Sequence, residues 1–288
     1  VEHAKATYQF NGRSLKGLKI VIDAANGAAY KVAPQVLFEL GAQVISVGVN
    51  PNGYNINHKC GSTSPELASQ TVLEHGADLG ICLDGDADRL TIVDDKGKFA
   101  HGDHLLGVFA NELKFKNELL NNTLVATKMS NMGLERYLNS NDINLVRTNV
   151  GDRYVVEEMI KGGFNLGGEQ SGHIIMSDFS TTGDGLVAAL QFIAAMQRNQ
   201  RSASELLNVY DLHPQLLKNV QVSGNINPLT DSGIIKLIKD TEKKFGEKGR
   251  LYIRQSGTEP LIRVMGEHED EVTLDHSINE IIEQIKIL

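Results

Sequence analysis

Leu18–Asp23 (LKIVID) is an apolar run closed by an acid, the pattern of a buried strand. Small residues follow over Ala24–Ala29, and Val32–Leu40 is helix-like until Gly41 stops it. Ala42–Gly48 (AQVISVG) then predicts a second strand. Strand, helix and strand in that order mark a parallel sheet. The order returns later: Thr123–Thr127 reads as a strand, Asn131–Gly133 as a turn, Leu134–Asn139 as a helix and Ile143–Val150 as a strand. The two units, Ile20 to Gly48 and Leu124 to Gly151, have almost the same length, and each leads into an x-Leu-Gly strand and a polar loop. Asp78-Leu79-Gly80 precedes Asp84-Gly85-Asp86, and Asn165-Leu166-Gly167 precedes Glu169-Gln170-Ser171. Two homologous α/β domains explain this recurrence, although such units also resemble one another through shared physics alone.

The last segment has a different pattern. Val220–Val222, Gly249–Ile253 and Leu261–Gly266 read as short strands, and Ile234–Phe245 and Glu271–Ile287 as helices. Ile278, Ile281, Ile282 and Ile285 share one face of the last helix. A small α+β domain is expected here. Boundaries fall near Lys98–Gly102 and Asp211–Lys218, which divides the chain into 1–101, 102–213 and 214–288.

Composition narrows the classes. Of 288 residues, 41% are hydrophobic and 22% charged, a balance able to bury a core. The net charge of −8 argues against a general nucleic-acid binder, while a few arginines can still build a pocket for an anionic small molecule. The most apolar stretch, Gly185 to Met196, is too short to span a bilayer, and the start at Val1 lacks the layout of a signal peptide. Cys60 and Cys82 form no CxxC pair and read as core residues, and a reducing cytoplasm is the default setting.

Three motifs carry chemistry. The first is Asp84-Gly85-Asp86-Ala87-Asp88-Arg89, directly after the apolar Leu79–Leu83. Carboxylates at alternate positions can converge on one hard cation if the loop curls, and Gly85 is the residue expected to permit the curl. Without a counter-ion they would repel one another and raise their own pKa values. An EF-hand fails, because Arg89 stands where that loop needs glycine. The second is Gly167-Gly168-Glu169-Gln170-Ser171-Gly172-His173, whose Glu169 and Ser171 can hydrogen-bond vicinal sugar hydroxyls; a Gly-rich turn with no ligand is the competing reading. The third is Arg254-Gln255-Ser256-Gly257-Thr258-Glu259-Pro260 with Arg263 beyond, where hydroxyls, backbone N–H groups and two arginines suit a phosphate; a tight loop between strands is the alternative.

The ordered set DGDADR, GEQSGH and RQSGTEP resembles the α-D-phosphohexomutase superfamily. Asn55-Ile56-Asn57, Cys60-Gly61-Ser62-Thr63, Val150-Gly151-Asp152-Arg153-Tyr154-Val155 and Gln170 make it similar to the bacterial phosphoglucosamine mutases within that superfamily. The resemblance covers essentially the whole chain. It implies two homologous three-layer α/β/α domains with mixed sheets and a small C-terminal α+β domain. It implies an intramolecular phosphotransferase that interconverts glucosamine 6-phosphate and glucosamine 1-phosphate through a phosphoserine, with glucosamine 1,6-bisphosphate as intermediate. Mg²⁺ would be held by Asp84, Asp86 and Asp88, and Arg89 would offset phosphoryl charge. Glu169, Ser171 and His173 would bind the sugar, and Arg254, Ser256, Gly257, Thr258 and Arg263 the non-reacting phosphate. Lys128, Asp152 and Arg153 are candidates for proton transfer or charge stabilisation. Some relatives carry a histidine near the Asp152 position, so Asp152 departs there from the family pattern. The implied partner is a phosphorylated hexosamine, with neither nucleic acid nor membrane, and a homodimer is the assembly considered for the full-length enzyme. Phosphomannose or phosphoglucose as substrate, and a non-catalytic sugar-phosphate-binding module, are the competing readings. One departure stands out: no serine loop resembling SASHNP occurs in these 288 residues. The chain therefore looks like domains two, three and four of a four-domain enzyme, and is expected to be inactive alone.

Overall fold

A computed structural model describes the chain except for residues 10, 11, 13, 223–226, 257, 258 and 288. The first sheet contains β1 (Lys19–Asp23), β2 (Gln43–Val47), β3 (Leu79–Leu83) and β4 (Leu90–Val93), in the order β2-β1-β3-β4. The pairings β1–β2 and β1–β3 are parallel, and β3–β4 is antiparallel. The second sheet contains β5 (Thr123–Thr127), β6 (Asn144–Thr148), β7 (Leu166–Gly168) and β8 (Ile174–Met176), in the order β6-β5-β7-β8. It has the same parallel centre and the same antiparallel edge. The repeat read from spacing is thus a repeat of topology.

The helices preceding the C-terminal segment are α1 (Glu2–Thr7), α2 (Val32–Glu39), α3 (Glu66–His75), α4 (Gly102–Phe115), α5 (Met132–Ser140), α6 (Asp152–Gly162), α7 (Gly185–Asn199) and α8 (Ala203–Leu207). Alternate strand residues enter different cores, as the period of two requires. Ile20, Ile22, Leu79 and Ile81 face one core, while Val21 and Cys82 face another with Ala68 and Val72 of α3. In the second sheet Leu124, Ala126 and Leu166 join that first core, whereas Val125 and Ile175 meet Val155 and Met159 of α6. The shared core also takes Leu105, Leu106 and Phe109 of α4 and Leu186 to Met196 of α7. Both sheets therefore close on common helices, and residues 1–130 with 134–210 form one compact unit. Cys60 and Cys82 are both buried.

Residues 131–133 and 211–288 form the second unit. Its sheet contains β9 (Gln215–Gln221), β10 (Gly249–Gln255) and β11 (Leu261–His268), in the antiparallel order β10-β11-β9. Helices α9 (Ser232–Phe245) and α10 (Glu271–Ile287) supply Ile234, Phe245, Ile278, Ile281, Ile282 and Ile285 to its core. Asp231 caps α9 by accepting from the N–H groups of Gly233 and Ile234. β9 starts at Gln215, five residues before the expected Val220, and so occupies part of the segment where the domain boundary is expected. Its first half is half-exposed and carries Lys218, so it lacks a continuous apolar signal. Among the described residues, no helix is long and apolar enough to cross a membrane.

Candidate active site

The acidic loop joins β3 to the antiparallel β4, and its curl is made at Ala87. Ala87 has φ +65°, and its N–H donates to the Asp84 carbonyl at 3.1 Å. The sequence reading assigned the curl to Gly85, which does not have a positive φ. Gly85 is closely covered instead: a Cβ there would stand 2.6 Å from Ile56 Cδ1, the tip of an exposed side chain. Its carbonyl accepts from the Ala28 N–H at 2.7 Å, tying the loop to the turn after β1.

Asp84, Asp86 and Asp88 each offer a ligand oxygen, and these atoms all lie within 4.8 Å of one another. Asp84 Oδ1 accepts from the Arg89 N–H at 3.0 Å, and Arg89 Nε stands 3.6 Å from Asp84 Oδ2 and 3.9 Å from Asp88 Oδ1. Burial, with the charges of Asp88 and Asp86 added to it, pushes the Asp84 carboxyl up to about 6. Asp88 Oδ1 is buried and has no hydrogen-bond partner among the described residues. An all-oxygen donor set with one orphaned carboxylate oxygen fits a hard divalent cation such as Mg²⁺.

The glycine-rich loop is the hairpin between β7 and β8. Glu169 N–H donates to the His173 carbonyl at 2.9 Å, and Gly172 N–H to the Glu169 carbonyl at 3.0 Å. Glu169 Oε1 accepts from the Gly151 N–H at 3.0 Å, and Ser171 is exposed. This hairpin is joined to the acidic loop. Leu90 N–H donates to the Gly172 carbonyl at 3.0 Å, Arg89 and His173 form a β-bridge, and His173 Nδ1 lies 3.2 Å from Asp88 Oδ2. His173 is buried with its ring against Asp88.

Lys128, Asp152 and Glu169 follow the carboxyl ends of β5, β6 and β7, the edge where α/β sheets bind ligands. Lys128 Nζ donates to Asn149 Oδ1 at 3.0 Å. Asp152 is exposed at the start of α6. Arg153 is exposed as well, with Nε 3.2 Å from Glu157 and its guanidinium over the Tyr154 ring, so it lies along its own helix.

The second unit holds Arg254, Ser256 and Arg263, whereas Gly257 and Thr258 lie outside the described residues. Arg254 and Arg263 are direct cross-strand partners on β10 and β11, a like-charge pairing that is unfavourable until an anion joins it. Glu259 meets Arg263 Nη2 at 3.3 Å, and Arg263 Nε is buried without a partner among the described residues. Ser256 is buried, with its N–H on the Leu261 carbonyl.

One element of the site escaped the sequence reading. The turn Gly183-Asp184-Gly185 packs beneath Asp88 and Arg89. Its only sequence signal is a pair of glycines around an acid just before an apolar helix.

Family profiles match three successive segments. Residues 1–97 match Phosphoglucomutase/phosphomannomutase, alpha/beta/alpha domain II; residues 101–213 match alpha/beta/alpha domain III; residues 217–284 match the C-terminal domain. The chain belongs to the phosphoglucomutase/phosphomannomutase family. Its curated relatives include the phosphoglucosamine mutases of Cereibacter sphaeroides, 56% identical over 99% of this chain, and of Roseobacter denitrificans, 53% identical over 99%. The chain spans 64% and 63% of their respective lengths. Among solved structures, a phosphoglucomutase/phosphomannomutase family protein from Burkholderia thailandensis superposes with a TM-score of 0.79 at 21% identity, covering 99% of this chain and 63% of that one. An Aspergillus fumigatus N-acetylphosphoglucosamine mutase, solved with GlcNAc-6P and magnesium, gives 0.73 at 20% identity, covering 99% and 69%. At such identities these structures establish the shared phosphohexomutase fold.

Proposed function

We propose that the chain is the metal-, sugar- and phosphate-binding part of a cytoplasmic phosphoglucosamine mutase, which interconverts glucosamine 6-phosphate and glucosamine 1-phosphate. The observation that carries this reading is the junction of the three-carboxylate loop with the GEQSGH hairpin through Asp88, His173, Leu90 and Gly172. The 53–56% identity to phosphoglucosamine mutases supports the amino sugar over phosphomannose or phosphoglucose.

The reaction moves a phosphoryl group from a seryl oxygen to the free hydroxyl of the sugar phosphate, giving glucosamine 1,6-bisphosphate. The bisphosphate turns over, and its other phosphoryl group returns to the serine. Such transfer depends on positioning and charge neutralisation. Asp84, Asp86 and Asp88 hold Mg²⁺, which when bound neutralises phosphoryl charge. Arg89 adds a fixed positive charge beside the same loop. Glu169 has one carboxylate oxygen engaged by Gly151 and can turn the other to a sugar hydroxyl, with Ser171 beside it. Lys128 and Asp152, on the same edge of the second sheet, are the groups able to stabilise charge or exchange a proton there, while Arg153 must first leave Glu157 to take part. In the second unit Arg254, Ser256 and Arg263, with Gly257 and Thr258, grip the phosphate that does not react. A dianion between Arg254 and Arg263 relieves their repulsion and gives Arg263 Nε an acceptor.

Fusing the N-terminal third of the Cereibacter sphaeroides enzyme ahead of Val1 tests the reading. The chimera should convert glucosamine 6-phosphate in the presence of Mg²⁺, with a kcat/KM at least about 10-fold above that for glucose 6-phosphate or mannose 6-phosphate, the scale of one retained or lost hydrogen-bonding group. A preference for either hexose phosphate would overturn the amino-sugar assignment.

A further inference from the structure

Gly183 and Gly185 press on the acidic loop more closely than any other side chain would allow. A Cβ at Gly183 would stand 2.5 Å from His173 Nε2, 2.7 Å from His173 Cε1 and 2.9 Å from the Asp88 carbonyl oxygen. One at Gly185 would stand 2.6 Å from the Arg89 carbonyl oxygen and 2.8 Å from Leu83 Cδ2. Neither glycine has a positive φ, so close approach, not backbone conformation, demands them. Gly185 N–H donates to the Ala87 carbonyl at 2.9 Å, and Asp184 caps α7 by accepting from the Val187 N–H at 2.9 Å. The turn is thereby fixed both to the loop and to a helix buried in the shared core.

His173 is the side chain held between this turn and Asp88. His173 Nδ1 lies 3.2 Å from Asp88 Oδ2, and because a carboxylate only accepts, this contact suits the tautomer with the proton on Nδ1. Asp88 Oδ1 is left buried and without a hydrogen-bond partner among the described residues, with Arg89 Nε 3.9 Å away. We propose that Gly183 and His173 are positioning residues of the cation site: the turn sets the imidazole ring, and the ring orients the Asp88 carboxylate so that one oxygen stays grouped with those of Asp84 and Asp86. Outer-shell partners of this kind orient ligands and tune affinity. The inference rests on the cation reading of the acidic loop.

Mn²⁺ titration followed by the free-ion electron paramagnetic resonance signal tests it on the 288-residue chain, with thermal melts recorded for every variant. The unsubstituted chain binds Mn²⁺, and Gly183→Ala weakens binding about 10-fold. His173→Asn places an amide donor near the position of Nδ1 and keeps affinity within about twofold of the unsubstituted chain. Because His173→Asn also removes Nε2 and Cε1, adding Gly183→Ala in that background costs no more than about twofold. His173→Leu, which removes the donor and adds nothing at the turn, weakens binding about 10-fold even if Gly183→Ala fails to fold. Unchanged affinity in Gly183→Ala or His173→Leu overturns the proposal, as does an equal loss from Gly183→Ala in both backgrounds. No Mn²⁺ binding by the unsubstituted chain overturns the cation reading itself, a result separate from those.

Discussion

Without added cation at pH 7, Asp84→Asn should raise the melting temperature and abolish the stabilisation that Mg²⁺ gives the unsubstituted chain. Burial, and then the charges of Asp88 and Asp86, lift the Asp84 carboxyl in the folded protein to about 6, against an ordinary value of 3.8. A folded-state pKa above the unfolded one means that the folded chain holds the proton more tightly. The stability tied to that proton is fully present below about 3.8 and is lost as pH rises through about 6. At pH 7 the ionised carboxylate is therefore a burden on the metal-free fold. Asparagine removes the charge and keeps an oxygen to accept from the Arg89 N–H. The variant should melt about 2–4 °C higher, the scale of about 1 kcal/mol in a chain of this size. At pH 5 the difference should shrink, because Asp84 is by then mostly protonated. Mg²⁺ stabilises by mass action, and about 100 times its Kd gives about 2.7 kcal/mol, all of which needs the third carboxylate. Melting curves at both pH values, with and without Mg²⁺, check these outcomes. A variant that melts lower at pH 7 without metal, or keeps the full Mg²⁺ shift, would show that the three charges do not share a site.

The second large effect is a loss of turnover. Supplied with glucosamine 6-phosphate, Mg²⁺ and glucosamine 1,6-bisphosphate, the 288-residue chain alone should form no glucosamine 1-phosphate. In the proposed reaction a phosphoryl group passes through a serine, and no loop in these residues resembles the one implied to carry it. In the proposed reading the acidic, glycine-rich and arginine loops supply binding and electrostatics only. They offer neither half-reaction an oxygen on which to deposit the group. Removing a catalytic nucleophile costs on the order of 10⁶-fold. Phosphorus NMR of the mixture over hours, beside the chimera as positive control, gives the answer. Product at a rate approaching that of the chimera would mean that another residue of this chain accepts the phosphoryl group.

Much of this site was readable in the chain because its signals are local. The parallel strands of both sheets are apolar runs that recur at one spacing and so were legible, whereas the antiparallel edge strands β4 and β8 were not. Three acids at alternate positions behind a buried strand marked the candidate cation loop for the same reason. What escaped depends on contacts between distant residues. The Asp88–His173 contact and the seat of Gly183 exist only once Arg89 and His173 form their β-bridge and the turn before α7 packs against it. The apolar run Gly185 to Met196 was read only as too short for a membrane, yet it is buried on every face except at Gln191 because both sheets close on it. The turn at Ala87 defeated the reading because a glycine two residues earlier was the more obvious candidate for a positive φ. β9 was cut short because half-exposed positions lack a clean alternation.

The central claim is that Asp84, Asp86 and Asp88 form one divalent cation site beside the GEQSGH hairpin. Anomalous diffraction from crystals of the chain soaked in Mn²⁺ tests it most directly. The account predicts a single strong peak about 2.0–2.2 Å from one oxygen of each of the three carboxylates, with His173 Nδ1 still against Asp88 Oδ2. Contradiction would be a peak bound elsewhere, or three carboxylates fanned toward solvent with no metal among them.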